Sequence, residues 1–155
     1  MLPIEQLHPI AIHFPIVLAF VLLAMDSYAA LRGRALTAGT CIGDVATTMA
    51  GAAAVFALIA FVLGDQAYDI AMAANGPVAA LETHEGLGSA AAFAILAWGV
   101  LRVLARWRAL PISGGRVWLA VAVDLVLCAL VVAAAWYGGR LVYDFGVAVS
   151  RSVSG

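Results

Sequence analysis

Three histidines are the residues of this 155-residue chain best equipped for chemistry, and two of them open its first apolar run, Leu7-His8-Pro9-Ile10-Ala11-Ile12-His13-Phe14-Pro15. The third, His84, opens a later apolar run in the same manner. Imidazole ligates transition metals and haem iron, and it carries protons near neutral pH. An ionisable side chain in lipid-facing sequence is costly and is by default a functional candidate. A second constellation is acidic: Asp26, Asp44 and Asp124 interrupt apolar sequence elsewhere.

The elements that must position these groups are membrane helices. The chain is 65% hydrophobic and 11% charged, with a mean hydropathy of +1.06, far from the globular balance of about 45–50% apolar and 25% charged. Four runs reach the roughly 20 residues that cross a hydrocarbon core. They predict an all-α bundle, a single four-helix transmembrane domain over 1–155, with helices at approximately 10–31, 45–63, 86–104 and 117–137. The first run is read as a mature helix and not a signal peptide, because Glu5 precedes it and no Lys or Arg does. Pro9 suits a helix start and Pro15 a local kink. Asn75-Gly76-Pro77 is a turn, from which the third helix could begin early, and 65–74 reads as a short interfacial helix. No solenoid-like or inverted repeat is visible.

Arginine sets the expected orientation. The first and third connections hold Arg32, Arg34, Arg102, Arg106, Arg108 and Arg116, against Arg140 and Arg151 opposite. The positive-inside rule then places both termini on the periplasmic side of a bacterial inner membrane. His13 and His84 come to similar depth near the outer face, on helices expected to pack together. Thirteen residues separate His13 from Asp26, roughly 20 Å along a helix. The aspartates thus lie towards the cytoplasm, too far away to share a site. For them a proton or ion path is the functional reading. The favoured one is structural: Asp44 caps the second helix, while Asp26 and Asp124 pair with Arg102 or cap backbone.

His8-Pro9-x-x-x-His13-Phe14-Pro15, His84 and the stretch Gly138-Gly139-Arg140-Leu141-Val142-Tyr143-Asp144-Phe145-Gly146-Val147 resemble the domain of unknown function 2231 (DUF2231), a bacterial family of small four-helix membrane proteins. The resemblance spans nearly the whole chain. It implies redox work, since some relatives are joined to Rieske-type or c-type cytochrome modules. Phe145 stands where some relatives carry a histidine.

On chemical grounds a b-type haem needs one or two imidazoles from facing helices and an apolar slot. His13 and His84 are the expected axial pair. His8 is the substitute ligand or a propionate partner, and Arg140 pairs with a propionate. Phe14, Phe93 and Trp136 are expected to line the slot, and the tail after Gly138-Gly139 to cover its edge. Without Cys-x-x-Cys-His, c-type attachment has no motif. Copper on His8, His13, His84 and Met72 is the alternative, as is a non-catalytic assembly subunit with structural histidines.

No phosphate loop, nucleophile elbow or zinc-protease motif supports a hydrolase, and no basic aromatic patch suggests nucleic acid. The chain reads as an electron carrier or subunit more than a stand-alone enzyme. Its expected partners are the bilayer, a periplasmic cytochrome, a Rieske-type protein or quinol (with Glu82 or Glu85 taking quinol protons), and a second copy of itself. Cys41 and Cys128 are expected to stay reduced on the cytoplasmic side. Tyr28, Trp107, Trp118, Tyr137 and Tyr143 are interfacial anchors.

Overall fold

A computed structural model describes residues 4–36 and 39–149, with side chains described from Leu7 onward. Arg151 and the side chain of Glu5 lie outside it. Five helices follow one another: α1 (Ile4–Ala11), α2 (His13–Leu31), α3 (Cys41–Ala73), α4 (Val78–Trp107) and α5 (Gly115–Tyr143). Four segments are long and apolar enough to cross a membrane, namely Leu7–Leu31, Cys41–Ala73, Val78–Trp107 and Gly115–Tyr143.

The helices overrun their expected limits for local reasons. Pro9 lies inside α1 and does not start a helix. Pro15 deprives the Ala11 carbonyl of its donor, and the chain breaks between α1 and α2 at Ile12. Nothing stronger than Gly64 interrupts the sequence before Asn75, so 65–73 forms the last turns of α3, capped by Ala74, and not a separate helix. Pro77 occupies the N-cap of α4, seven residues before His84. At the other end Thr40, not Asp44, caps α3 by accepting from the Gly43 N–H at 3.2 Å. Asp44 sits in the first turn, where it accepts from the Gly39 N–H and binds Arg106 Nε at 2.8 Å. It thus ties the start of α3 to the end of α4.

Around the bundle, α2 and α4 each pack against both α3 and α5, and α1 lies on α3. Consequently α2 and α4 are diagonal, whereas the sequence suggested that they were neighbours. The apolar interior is built largely from alanine on α3, which brings backbones close as membrane helices require. The tightest approach is at Gly99, where a methyl group would lie 2.5 Å from the Ala50 carbonyl oxygen and 2.6 Å from the Ala54 Cβ. Gly99→Ala should therefore push α4 off α3 and cost about 1–3 kcal/mol, the usual range for overpacking. A thermal melt in detergent that matched the parent would contradict this close contact.

The two halves of the chain repeat each other. Pro15, Ala19 and Asp26 are buried on α2, and Ala91, Ile95 and Arg102, each 76 positions later, are buried on α4. Gly43, Ala46, Ala50, Ala53, Ala54 and Ala57 on α3 are matched by Val117, Ala120, Asp124, Leu127, Cys128 and Val131 on α5, each 74 positions later. The hairpins α2–α3 and α4–α5 thus bury equivalent positions. The repeat is parallel, and its interior residues differ too much for sequence identity to show it.

Candidate haem-ligand site at the histidine end

His8 and His84 are held by the same device in the two halves. The His8 Nδ1–H donates to the Ala60 carbonyl of α3 at 3.0 Å, and the His84 Nδ1–H donates to the Ala134 carbonyl of α5 at 3.0 Å. One turn further on, each partner helix carries a glycine beneath the ring. A Cβ on Gly64 would lie 2.9 Å from His8 Cε1, and one on Gly138 would lie 2.9 Å from His84 Cε1. A larger residue in either place would displace the imidazole.

The bonds to carbonyls decide the tautomer. A carbonyl oxygen only accepts, so the proton sits on Nδ1, which leaves the Nε2 lone pair of the neutral ring available to a metal. Metal-ligating histidines commonly donate their other nitrogen to backbone in this way. Both rings are half-buried, with centroids 6.3 Å apart and planes at 73°.

Residues 5–151 match the family model described as a predicted membrane protein, DUF2231. The chain belongs to that family. No curated protein and no solved structure matches it. What this DUF2231 protein can do must therefore be read from its own geometry.

That geometry rearranges the expected site. His13 does not meet His84: it is exposed on α2, diagonal to α4, and its Nδ1–H donates to Pro9 O of its own chain turn at 2.6 Å. Five residues turn a helix by about 140°, so His8 and His13 face different ways. His8 takes the place expected of His13. Arg140 follows Gly138 by two residues, about 200° around α5, and it pairs with Asp144 at 2.9 Å, away from His84.

Phe14, Phe93 and Trp136 are 50%, 53% and 69% exposed and point outward, so they line no interior slot. Phe14 stacks on Phe56 and Phe93 leans on Phe61. The helix continues through Gly138-Gly139 to Tyr143, so those glycines do not release a covering tail. Glu82 is exposed, Glu85 accepts from the Ser89 hydroxyl at 2.7 Å, and Met72 is half-buried near the end of α3. Sequence reasoning missed Ala60, Gly64, Ala134 and Gly138. Their signal was an Ala-x-x-x-Gly spacing that recurs in α3 and α5.

The acidic constellation lies far from this site. Asp26 and Arg102 form a two-pronged ion pair, Nη1 to Oδ2 and Nη2 to Oδ1 (the latter 3.3 Å), with both side chains buried. The predicted pairing of Asp26 with Arg102 is what forms. Asp124 instead accepts from Trp98 Nε1 at 2.8 Å, and the Arg102 guanidinium lies 5.5 Å from the centre of that indole. Eighteen residues, or about 27 Å of helix, separate His84 from Arg102. Cys41 is exposed and Cys128 buried, and both are free thiols.

Proposed function

We propose that the chain is a membrane-embedded electron-transfer protein or redox-partner subunit in which His8 and His84 are the axial ligands of a b-type haem. The observation that carries this reading is the pair of backbone-fixed imidazoles, one from each half, each with Nε2 left for a metal. An iron porphyrin needs only one or two ligands from protein. A bare copper or zinc ion usually requires three or four protein ligands. Among the described residues no group of three His, Cys, Asp or Glu is placed to hold one. Two ligands therefore favour haem over a naked ion.

When bound, the haem would supply one-electron chemistry. The protein's own residues orient it: Ala60 and Ala134 set ring rotation and tautomer, and Gly64 and Gly138 leave room for the rings. In the positive-inside orientation the pair lies at the periplasmic end of an inner-membrane bundle. A soluble cytochrome, a Rieske-type protein or quinol is the partner suited to that position. The test is a reduced-minus-oxidised visible spectrum of protein purified from haem-replete cells. Sharp α and β bands with a b-type pyridine haemochrome are expected, and a featureless spectrum would overturn the proposal.

A further inference from the structure

The centre of the bundle holds one more acid than it has cations to balance. Asp26 and Asp124 are 0% and 1% exposed, and Arg102 is the only cation buried among the described residues. Asp26 takes both terminal nitrogens of the Arg102 guanidinium in the two-pronged pair. Asp124 occupies the position that Ala50 fills in the first half, so the repeat packs there without a second carboxylate.

The two oxygens of Asp124 are treated differently. Oδ1 accepts from Trp98 Nε1 at 2.8 Å. Oδ2 meets no N–H or O–H donor. Besides Trp98, the side chain in hydrogen-bond contact with Asp124 is Asp26, another carboxyl. Ionised carboxylates only accept, so a hydrogen bond between two of them requires a proton on one. Two carboxylates sharing one site do not both keep their charge. The remaining neighbours, among them Ala19, Ala53, Ile95 and Leu127, are apolar and leave an ionised Asp124 without compensation.

We propose that one proton is held between Asp124 and Asp26, so that Asp124 is a neutral carboxylic acid whose O–H donates to the Asp26 carboxylate. The buried groups then carry no net charge, because Asp26 alone balances Arg102. A chain of bonds runs from Trp98 through Asp124 and Asp26 to Arg102, and it ties α5 to α2 and α4. The proton is resident: it holds helices together and needs no path across the bundle. The titratable and charged groups facing Asp124 are Asp26 from α2, Arg102 from α4 and the Cys128 thiol one turn along α5. The nearby residues of α3, Ala50 and Ala53, bring no charge. The site is independent of the histidine pair, and it can be read with or without haem.

The experiment is infrared spectroscopy of the whole protein in lipid at neutral pH, with aspartate isotopically labelled at its side-chain carboxyl. One isotope-sensitive C=O band of a protonated carboxyl is expected in the parent and in Asp144→Asn, and none in Asp124→Asn. Asp26→Asn should lose the band as well: its amide donates to Asp124, which then ionises and balances Arg102. Asp124→Asn keeps an N–H for Asp26 and a carbonyl for Trp98, so it should unfold at the parent's temperature, whereas Asp124→Ala unfolds earlier. A parent spectrum without the band at neutral pH would overturn the proposal, whether or not the variants fold. So would a band that survives Asp124→Asn or Asp26→Asn.

Discussion

On the proposed haem ligation, replacing either His8 or His84 by alanine should abolish the low-spin bands, while His13→Ala leaves them at full height. The reason is geometric. His8 and His84 come from opposite halves of the repeat and meet with centroids 6.3 Å apart, whereas His13 is exposed and bonded back to Pro9. With either imidazole gone, one residue alone would be left to hold the proposed haem iron, and the low-spin signature of two nitrogen ligands would be lost. Haem-to-protein stoichiometry and the reduced spectrum read this loss. Gly64→Ala and Gly138→Ala should give intermediate losses, because each new methyl meets an imidazole at 2.9 Å without removing it. Bands that survived His8→Ala and vanished in His13→Ala would show that the pair had been assigned wrongly.

Arg102→Ala should be the most damaging single change for stability. Arg102 is 1% exposed and Asp26 0% exposed, and each supplies the other's counter-charge. Breaking a buried pair by removing one partner typically costs about 3–5 kcal/mol, because a charge is left uncompensated. Asp26→Ala should be comparably harmful. The double change Asp26→Leu with Arg102→Met removes both charges and should recover much of the loss, as apolar replacement of buried pairs often does. Thermal unfolding of the parent, Asp26→Leu, Arg102→Met and their double variant in one detergent gives the coupling directly. If the double variant were as unstable as the sum of the two single ones, the pair would not act as a unit.

The value of that ion pair also follows from the repeat. Asp26 and Arg102 occupy equivalent positions in the two hairpins. In two identical halves the same positions would set like charges together. Opposite charges there make the halves different and favour the pairing of one with the other.

Much of this protein is determined by sequence composition and period alone. An apolar fraction of 65% with only 11% charge admits no water-soluble solution at this length, and each long apolar run must satisfy its own backbone hydrogen bonds as a helix. The membrane class, the number of spans and the isolation of the aspartates from the histidines were legible for that reason, while the family was legible only through the resemblance of its histidine and C-terminal motifs. Helix ends were less legible: no residue between Gly64 and Asn75 forbids helix, so continuation to Ala73 depends only on the absence of a stop.

Tertiary structure alone decided which histidines meet. Sequence ranks His8 and His13 by depth, but their partner is chosen by which helices are adjacent, and α2 proved diagonal to α4. The carbonyls that orient the rings belong to other helices, 52 and 50 positions away, and the glycines beneath the rings lie one turn beyond them. The same holds for the repeat. Apart from Ala46/Ala120 and the pairs at the histidine end, its equivalent interior positions share burial and not residue type, and burial exists only once four helices have packed.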